Sequence, residues 1–159
     1  MKHVDIFDKL VSKQQIEEIY NFCKNQSYKR IEDDGPGTPL TGLTSNLELD
    51  NDLVKFLLKV TNTSKEKLSR AYINLFIHDE KPYYHQDNPE PGGRTLIYYV
   101  NPQPKYFNDL GETFFIIDDE IYGVLPVPGR IIIFDSEVWH KATPLRTDDR
   151  YTVALKWSN

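Results

Sequence analysis

His85 and Asp87 stand two residues apart in Tyr83-Tyr84-His85-Gln86-Asp87-Asn88-Pro89, and His140 closes the downstream stretch Phe134-Asp135-Ser136-Glu137-Val138-Trp139-His140. On an extended chain successive side chains alternate faces, so an imidazole and a carboxylate at i and i+2 project the same way. Two histidines and one carboxylate are the ligand set that holds non-haem Fe(II) and leaves the opposite coordination positions open. Ten residues after His140 comes Arg150, a planar cation suited to gripping a carboxylate with two parallel hydrogen bonds. A His-x-Asp pair alone is weak, because a surface strand can carry both for solubility. The distal histidine and the arginine together make it a candidate iron site with an anion clamp. Zinc accepts the same ligands, so a zinc hydrolase stays open, although no obvious general base adjoins the triad.

The other histidines fit less well. His3 sits near a terminus, and His78 lies in the turn-like run Ile77-His78-Asp79-Glu80-Lys81 and is expected to face solvent. Arg150 could simply balance its neighbours Asp148 and Asp149. Against that, Arg150-Tyr151-Thr152-Val153-Ala154-Leu155 reads as an apolar strand, with Thr152 on the same face as Arg150.

The elements that must position these groups follow from periodicity and turn chemistry. Ser12-x-x-Gln15 has the form of a capping box, with Ile16, Ile19, Tyr20 and Cys23 at helical spacing and an end near Asn25. A second helix is expected after Asp50 or Asn51, with Leu53, Phe56, Leu57 and Val60 as its apolar face. Between them, Glu32 to Asn46 is rich in Gly and Pro and reads as one long loop, a substrate-side lid or a plain flexible connection. After Leu68 the chain turns to β. Strands are expected over Ala71–Ile77, Pro82–Asp87, Thr95–Asn101 and Glu112–Ile117, and again over Ile121–Val127, Arg130–Phe134, Val138–Thr143 and Arg150–Trp157. Turns such as Asn108 to Gly111 and Pro128-Gly129 separate them. Eight short strands at this spacing are the pattern of a sandwich or small barrel.

At 159 residues the chain is most simply one domain. Its net charge of −5 weighs against a surface that binds nucleic acid by bulk electrostatics. Cys23 is the only cysteine, which excludes an intramolecular disulfide and suits a reducing compartment able to keep iron ferrous. The opening residues lack the apolar run of a signal peptide, and no stretch approaches the roughly 20 apolar residues of a membrane span. A cytoplasmic location is the expectation.

His-x-Asp, a distal His and an Arg ten residues later, set among these strands, resemble the Fe(II)/2-oxoglutarate-dependent oxygenases, and within them the prolyl 4-hydroxylase-like group. The likeness runs from about Leu68 to Trp157. It is supported by Thr95 to Asn101, by Gly111-Glu112-Thr113 and by Pro128 to Phe134, with Asp87-Asn88-Pro89 and Tyr98-Tyr99 closest to the protein prolyl hydroxylases. The resemblance implies a mainly β chain with N-terminal helices (α+β), folded as a double-stranded β-helix or jelly roll. Residues 1–67 would give helical support and a loop, and residues 68–159 the core of the same domain. It implies Fe(II) on His85, Asp87 and His140, and 2-oxoglutarate held by Arg150 with help from Thr152 and the Tyr99 hydroxyl. Tyr72 or Asn74 would touch the other end of the cosubstrate. Aromatic core filling is an equal alternative for Tyr72 and Tyr99. Dioxygen would be the oxidant and ascorbate a supporting reductant. An Asp rather than a Gly or Ala at position 87 fits hydroxylation better than halogenation. The implied reaction is hydroxylation of a C–H bond, most simply in a prolyl residue of a peptide or protein. Three alternatives remain: a small-molecule or amino-acid hydroxylase, a nucleobase-modifying oxygenase (Arg146 and Arg150 superficially imitate its paired arginines), and a non-catalytic jelly-roll binding module. Glu32 to Asn46, Asn88 to Arg94 and Trp139 are the candidate substrate-facing elements.

Overall fold

The computed structural model describes residues 4–102 and 110–159, so His3, Asn108 and Asp109 lie outside the described residues. Two helices precede most of the strands: α1 (Lys13–Lys24) and α2 (Asp52–Val60). The strands are β1 (Val4–Phe7), β2 (Leu43–Leu47), β3 (Leu68–Phe76), β4 (Arg94–Tyr99), β5 (Thr113–Ile117), β6 (Glu120–Val124), β7 (Ile131–Asp135), β8 (Trp139–Ala142) and β9 (Arg150–Trp157). They form two antiparallel sheets, a larger one in the order β1-β7-β4-β9-β3-β2 and a smaller one in the order β6-β5-β8. This is the jelly-roll fold expected from the sequence.

Helix α1 starts where the capping box places it. The Ser12 hydroxyl accepts from the Gln15 amide, and the Gln15 side chain accepts from the Ser12 amide. Asn51 caps α2 through its side chain. Both helices lay apolar stripes on one face of the larger sheet. Ile16, Cys23, Val54 and Leu57 meet Ile73, Leu96, Ile133, Val153 and Leu155 there. Burial holds the Cys23 thiol up at about 12, as a packing residue rather than a reactive one. The opposite face of the same sheet meets the smaller sheet through Tyr99, Phe115, Ile132 and Phe134. Period-2 alternation thus divides every central strand. On β9, Tyr151, Val153 and Leu155 enter the helix-side core, while Arg150, Thr152, Ala154 and Lys156 line a cavity between the layers.

The strand pattern differs from the sequence reading in three places. Pro82 to Asp87 is not a strand, because its backbone groups are taken elsewhere. The Tyr83 amide donates to Asp34, the Asn88 amide donates to the Ser136 carbonyl, and only His85 pairs with the β-structure, in a single bridge to His140. The end of the supposed long loop is β2, where Leu43 to Leu47 pair with Ala71 to Leu75. β1, invisible as a four-residue segment, pairs with β7 as an edge strand.

Candidate active site

The cavity on the inner face of the larger sheet has a volume of about 340 Å³. His85, Asp87 and His140 reach it from two different supports. His140 lies on β8, buried, with its ring 4.7 Å from Phe134 and 6.0 Å from Phe115. His85 and Asp87 lie on the irregular segment before β4, joined to β8 by paired backbone bonds of 2.9 Å between His85 and His140. One ligand atom from each of the three residues falls within 4.8 Å of the others.

Each imidazole is oriented through its inner nitrogen. His140 Nδ1 is 2.9 Å from the Val138 carbonyl, and His85 Nδ1 is 3.1 Å from the Tyr83 carbonyl and 3.3 Å from Asp34 Oδ1. Carbonyl and carboxylate oxygens only accept, so each Nδ1 carries a proton, and in the neutral form of either ring Nε2 is the atom with the lone pair. Those Nε2 atoms face the carboxylate, at 3.8 Å for His85 to Asp87 Oδ1 and 3.6 Å for His140 to Asp87 Oδ2. Burial pushes His140 down to about 4, so the ring is neutral near pH 7.

The carboxylate is held as firmly. Asp87 Oδ2 accepts from Thr95 at 2.6 Å, and Lys156 Nζ is 2.7 Å from Oδ1. Burial raises the carboxyl's affinity for a proton, but His140, Lys156 and Thr95 outweigh it and hold the group well below the usual carboxylate range. Burial also works against the Lys156 ammonium, and Tyr72 and Asp87 more than offset it. Two imidazoles and an ionised carboxylate, converging on one point at the cavity wall, fit a divalent first-row metal.

At the other end of β9, Arg150 is almost wholly buried, at 1% exposure. Its Nε donates to the Gly111 carbonyl at 3.0 Å, and a terminal nitrogen donates to Thr113 Oγ1 at 3.1 Å. The Phe76 and Tyr99 rings lie 5.9 and 5.5 Å from the guanidinium carbon. No carboxylate among the described residues is within ion-pair distance of it. A buried guanidinium with no described carboxylate in ion-pair range, facing a cavity, fits an incoming anion such as a dicarboxylate. Thr152 lines the cavity one step along the strand, with Asn74 opposite it on β3. The buried Asn74 Oδ1 and Thr44 Oγ1 have no hydrogen-bond partner among the described residues. Tyr72 lines the cavity farther along, next to Lys156. Tyr99 does not line it, and its hydroxyl donates to Thr113 at 2.7 Å, behind Arg150.

Several residues of this site escaped the sequence reading. Lys156 had a readable signal, since the alternation that puts Thr152 beside Arg150 continues through Ala154 to Lys156. Thr95 and Arg70 had none, and Glu32 and Asp34 were marked only as part of the Glu32 to Asn46 loop, with nothing to show that Glu32 pairs with Arg70 at the cavity or that Asp34 stands beside His85. Of the candidate substrate-facing elements, the Glu32–Gly35 part of the loop lines the cavity. Trp139 points outward at 46% exposure, and none of Asn88 to Arg94 lines the cavity. His78 is exposed beside Asp79.

No family model and no curated protein matches this chain. Solved structures do. A prolyl-4-hydroxylase from Pseudomonas putida superposes with a TM-score of 0.77 at 13% identity, over 100% of this chain and 94% of its own. A Trichoplax adhaerens prolyl hydroxylase, solved with a peptide fragment of the hypoxia inducible factor oxygen degradation domain, gives 0.76 at 13% identity, over 97% of this chain and 82% of its own. A viral collagen prolyl hydroxylase from Paramecium Bursaria Chlorella virus-1, in its 2-oxoglutarate complex, gives 0.73 at 14% identity, over 99% and 97%. Across nearly its whole length, the protein has the fold of the prolyl hydroxylases.

Proposed function

We propose that the protein is an Fe(II)- and 2-oxoglutarate-dependent oxygenase that hydroxylates a C–H bond, with a prolyl residue of a peptide or protein as the substrate class. The observation that carries this reading is the pairing, in one cavity, of a two-histidine, one-carboxylate triad with a buried arginine that has no carboxylate of the described residues within ion-pair distance. When bound, the metal, 2-oxoglutarate and dioxygen supply the oxidative chemistry. The chain's own residues position and shield. His85, Asp87 and His140 would hold the metal, with Thr95 and Lys156 fixing the carboxylate. Arg150 would grip the distal carboxylate of the cosubstrate, oriented by Gly111 and Thr113. Thr152, Asn74 and Tyr72 line the path between, and Phe115 and Phe134 keep water from the far side of His140. Tyr99 would act at one remove, through Thr113.

The peptide class is supported by likeness to enzymes solved as prolyl hydroxylases, one of them with a peptide bound. A small polar substrate such as a free amino acid is the second reading, favoured by the charged side chains of Glu32, Arg70 and Lys156 around the triad. The test is Fe(II)-dependent conversion of 2-oxoglutarate to succinate in the presence of peptide, amino-acid and nucleic-acid pools, with products identified by mass spectrometry. Oxidised prolyl peptides support the proposal. Oxidation confined to free amino acids or nucleobases rejects the peptide class and keeps the oxygenase. Absence of Fe(II)-dependent succinate under every pool rejects the oxygenase.

A further inference from the structure

The two metal-ligand histidines are positioned by different means. His140 sits on a strand between aromatic rings. His85 sits on a segment with a single β-bridge and has a carboxylate behind it. Asp34, only 10% exposed, places Oδ1 3.3 Å from His85 Nδ1. Its Oδ2 accepts from the Tyr83 amide at 2.6 Å and from the Thr41 hydroxyl at 2.8 Å. One carboxylate therefore ties the segment 32–42 to the residues that carry the first metal ligand. A second tie runs nearby, where the Gly42 amide donates to Glu80 Oε2 and Arg30 pairs with Glu80 Oε1.

We propose that Asp34 is a positioning residue for His85, and that through it the segment 32–42 is energetically coupled to metal occupancy of the triad. The proposal rests on the metal-site reading above. The Tyr83 carbonyl accepts the Nδ1 proton at 3.1 Å, and Asp34 both holds the Tyr83 amide and sets its charge 3.3 Å from the same nitrogen. This arrangement fixes the tautomer, holds the ring plane and makes Nε2 a better donor to a metal. A cation on Nε2 makes the Nδ1–H group more positive and strengthens its attraction to the Asp34 carboxylate. Coupling between two binding events is reciprocal, so metal tightens the segment by the same free energy with which the anchored segment tightens the metal. The Gly/Pro-rich stretch is thus an outer layer of the metal site rather than a lid that touches only substrate.

The test compares the full-length protein with Asp34→Ala and Asp34→Asn, the latter keeping the side chain's shape should the former not fold. Asp79→Asn, at an exposed residue outside both the cavity and the segment, controls for the loss of a negative charge. Three quantities are read: Mn(II) affinity, the visible absorption of the Co(II)-loaded protein, and hydrogen exchange of residues 32–42 with and without Mn(II). The Asp34 variants are expected to bind Mn(II) about tenfold to a hundredfold more weakly, with Asp79→Asn within about threefold of wild type. The Co(II) spectrum should shift in the Asp34 variants, and Mn(II) should slow exchange of 32–42 in wild type but not in them. Wild-type Mn(II) binding that His140→Ala abolishes but Asp34→Ala leaves unchanged overturns this inference alone. So does exchange of 32–42 that ignores Mn(II) in wild type. Mn(II) that fails to bind wild type, or that survives His140→Ala, overturns the metal site itself and this inference with it.

Discussion

Arg150 and Lys156 lie on one strand, on one face, six residues apart, and their electrostatic situations are opposite. Lys156 has its counter-ion inside the protein, 2.7 Å away on Asp87. Arg150 meets a carbonyl, a hydroxyl and two aromatic faces, with the charge of Glu112 acting from beyond ion-pair distance. Burying a charge without a partner is costly, so under the proposed function the charge that completes the Arg150 end would arrive with a ligand. At the Lys156 end the partner is a carboxylate that a metal would also use. On the proposed function the cavity would run from an anion-accepting end to a cation-accepting one, and a ligand that bridges them would bring a carboxylate to the first and metal-binding oxygens to the second.

Removing each cation should expose the difference, most strongly at Lys156. Lys156→Met leaves Asp87 buried without its closest positive partner, and the metal-free protein should lose about 3 kcal/mol in a denaturant titration. Mn(II) should restore much of that loss by taking the place of the ammonium. Equal loss with and without Mn(II) would mean that Lys156 and the metal do not share Asp87. Acid should act on the same end. His140 keeps its ring neutral down to about 4 in the fold, against an ordinary 6.5. Between those values the unfolded chain binds more protons, so metal-free stability falls as pH is lowered, by about 2 kcal/mol between pH 7 and 5. A flat stability profile over that range would contradict the buried, neutral His140. Thr95→Val keeps the shape and removes the hydroxyl donor to Asp87, and should lower metal-free stability by about 1.5 kcal/mol. The smallest effect belongs to Arg150→Met. It removes a buried unpaired charge but orphans the Gly111 carbonyl, so metal-free stability should change by less than about 1 kcal/mol. A loss as large as that of Lys156→Met would show that Arg150 is an internal structural ion.

The sequence was most informative where periodicity and chemistry coincide. The capping box of α1, the two-faced strands and the order His-x-Asp, His, Arg could each be read, because each is a local pattern with a fixed physical meaning. The row Arg150, Thr152, Ala154, Lys156 follows from alternation alone, yet the partner that gives Lys156 its role stands on a different segment. Asp34 was out of reach for a stronger reason. A Gly/Pro-rich stretch has no period from which a side chain's direction can be inferred, and its contacts to Tyr83 and His85 span 49 and 51 positions of chain. The Pro82–Asp87 strand failed on the same account. Residue types there favour β structure, but the backbone bonds that decide the matter come from Asp34 and Ser136.

The central claim is that Arg150 and the triad form one site for a metal-bound dicarboxylate. Calorimetric titration of 2-oxoglutarate into the Mn(II)-loaded protein tests it most directly. Wild type should bind one equivalent, and metal-free protein far more weakly. Arg150→Met should lose on the order of tenfold to a hundredfold in affinity, with Arg150→Lys recovering only part of it. Binding of 2-oxoglutarate that is indifferent to Mn(II), or equally tight in wild type and Arg150→Met, would contradict the claim.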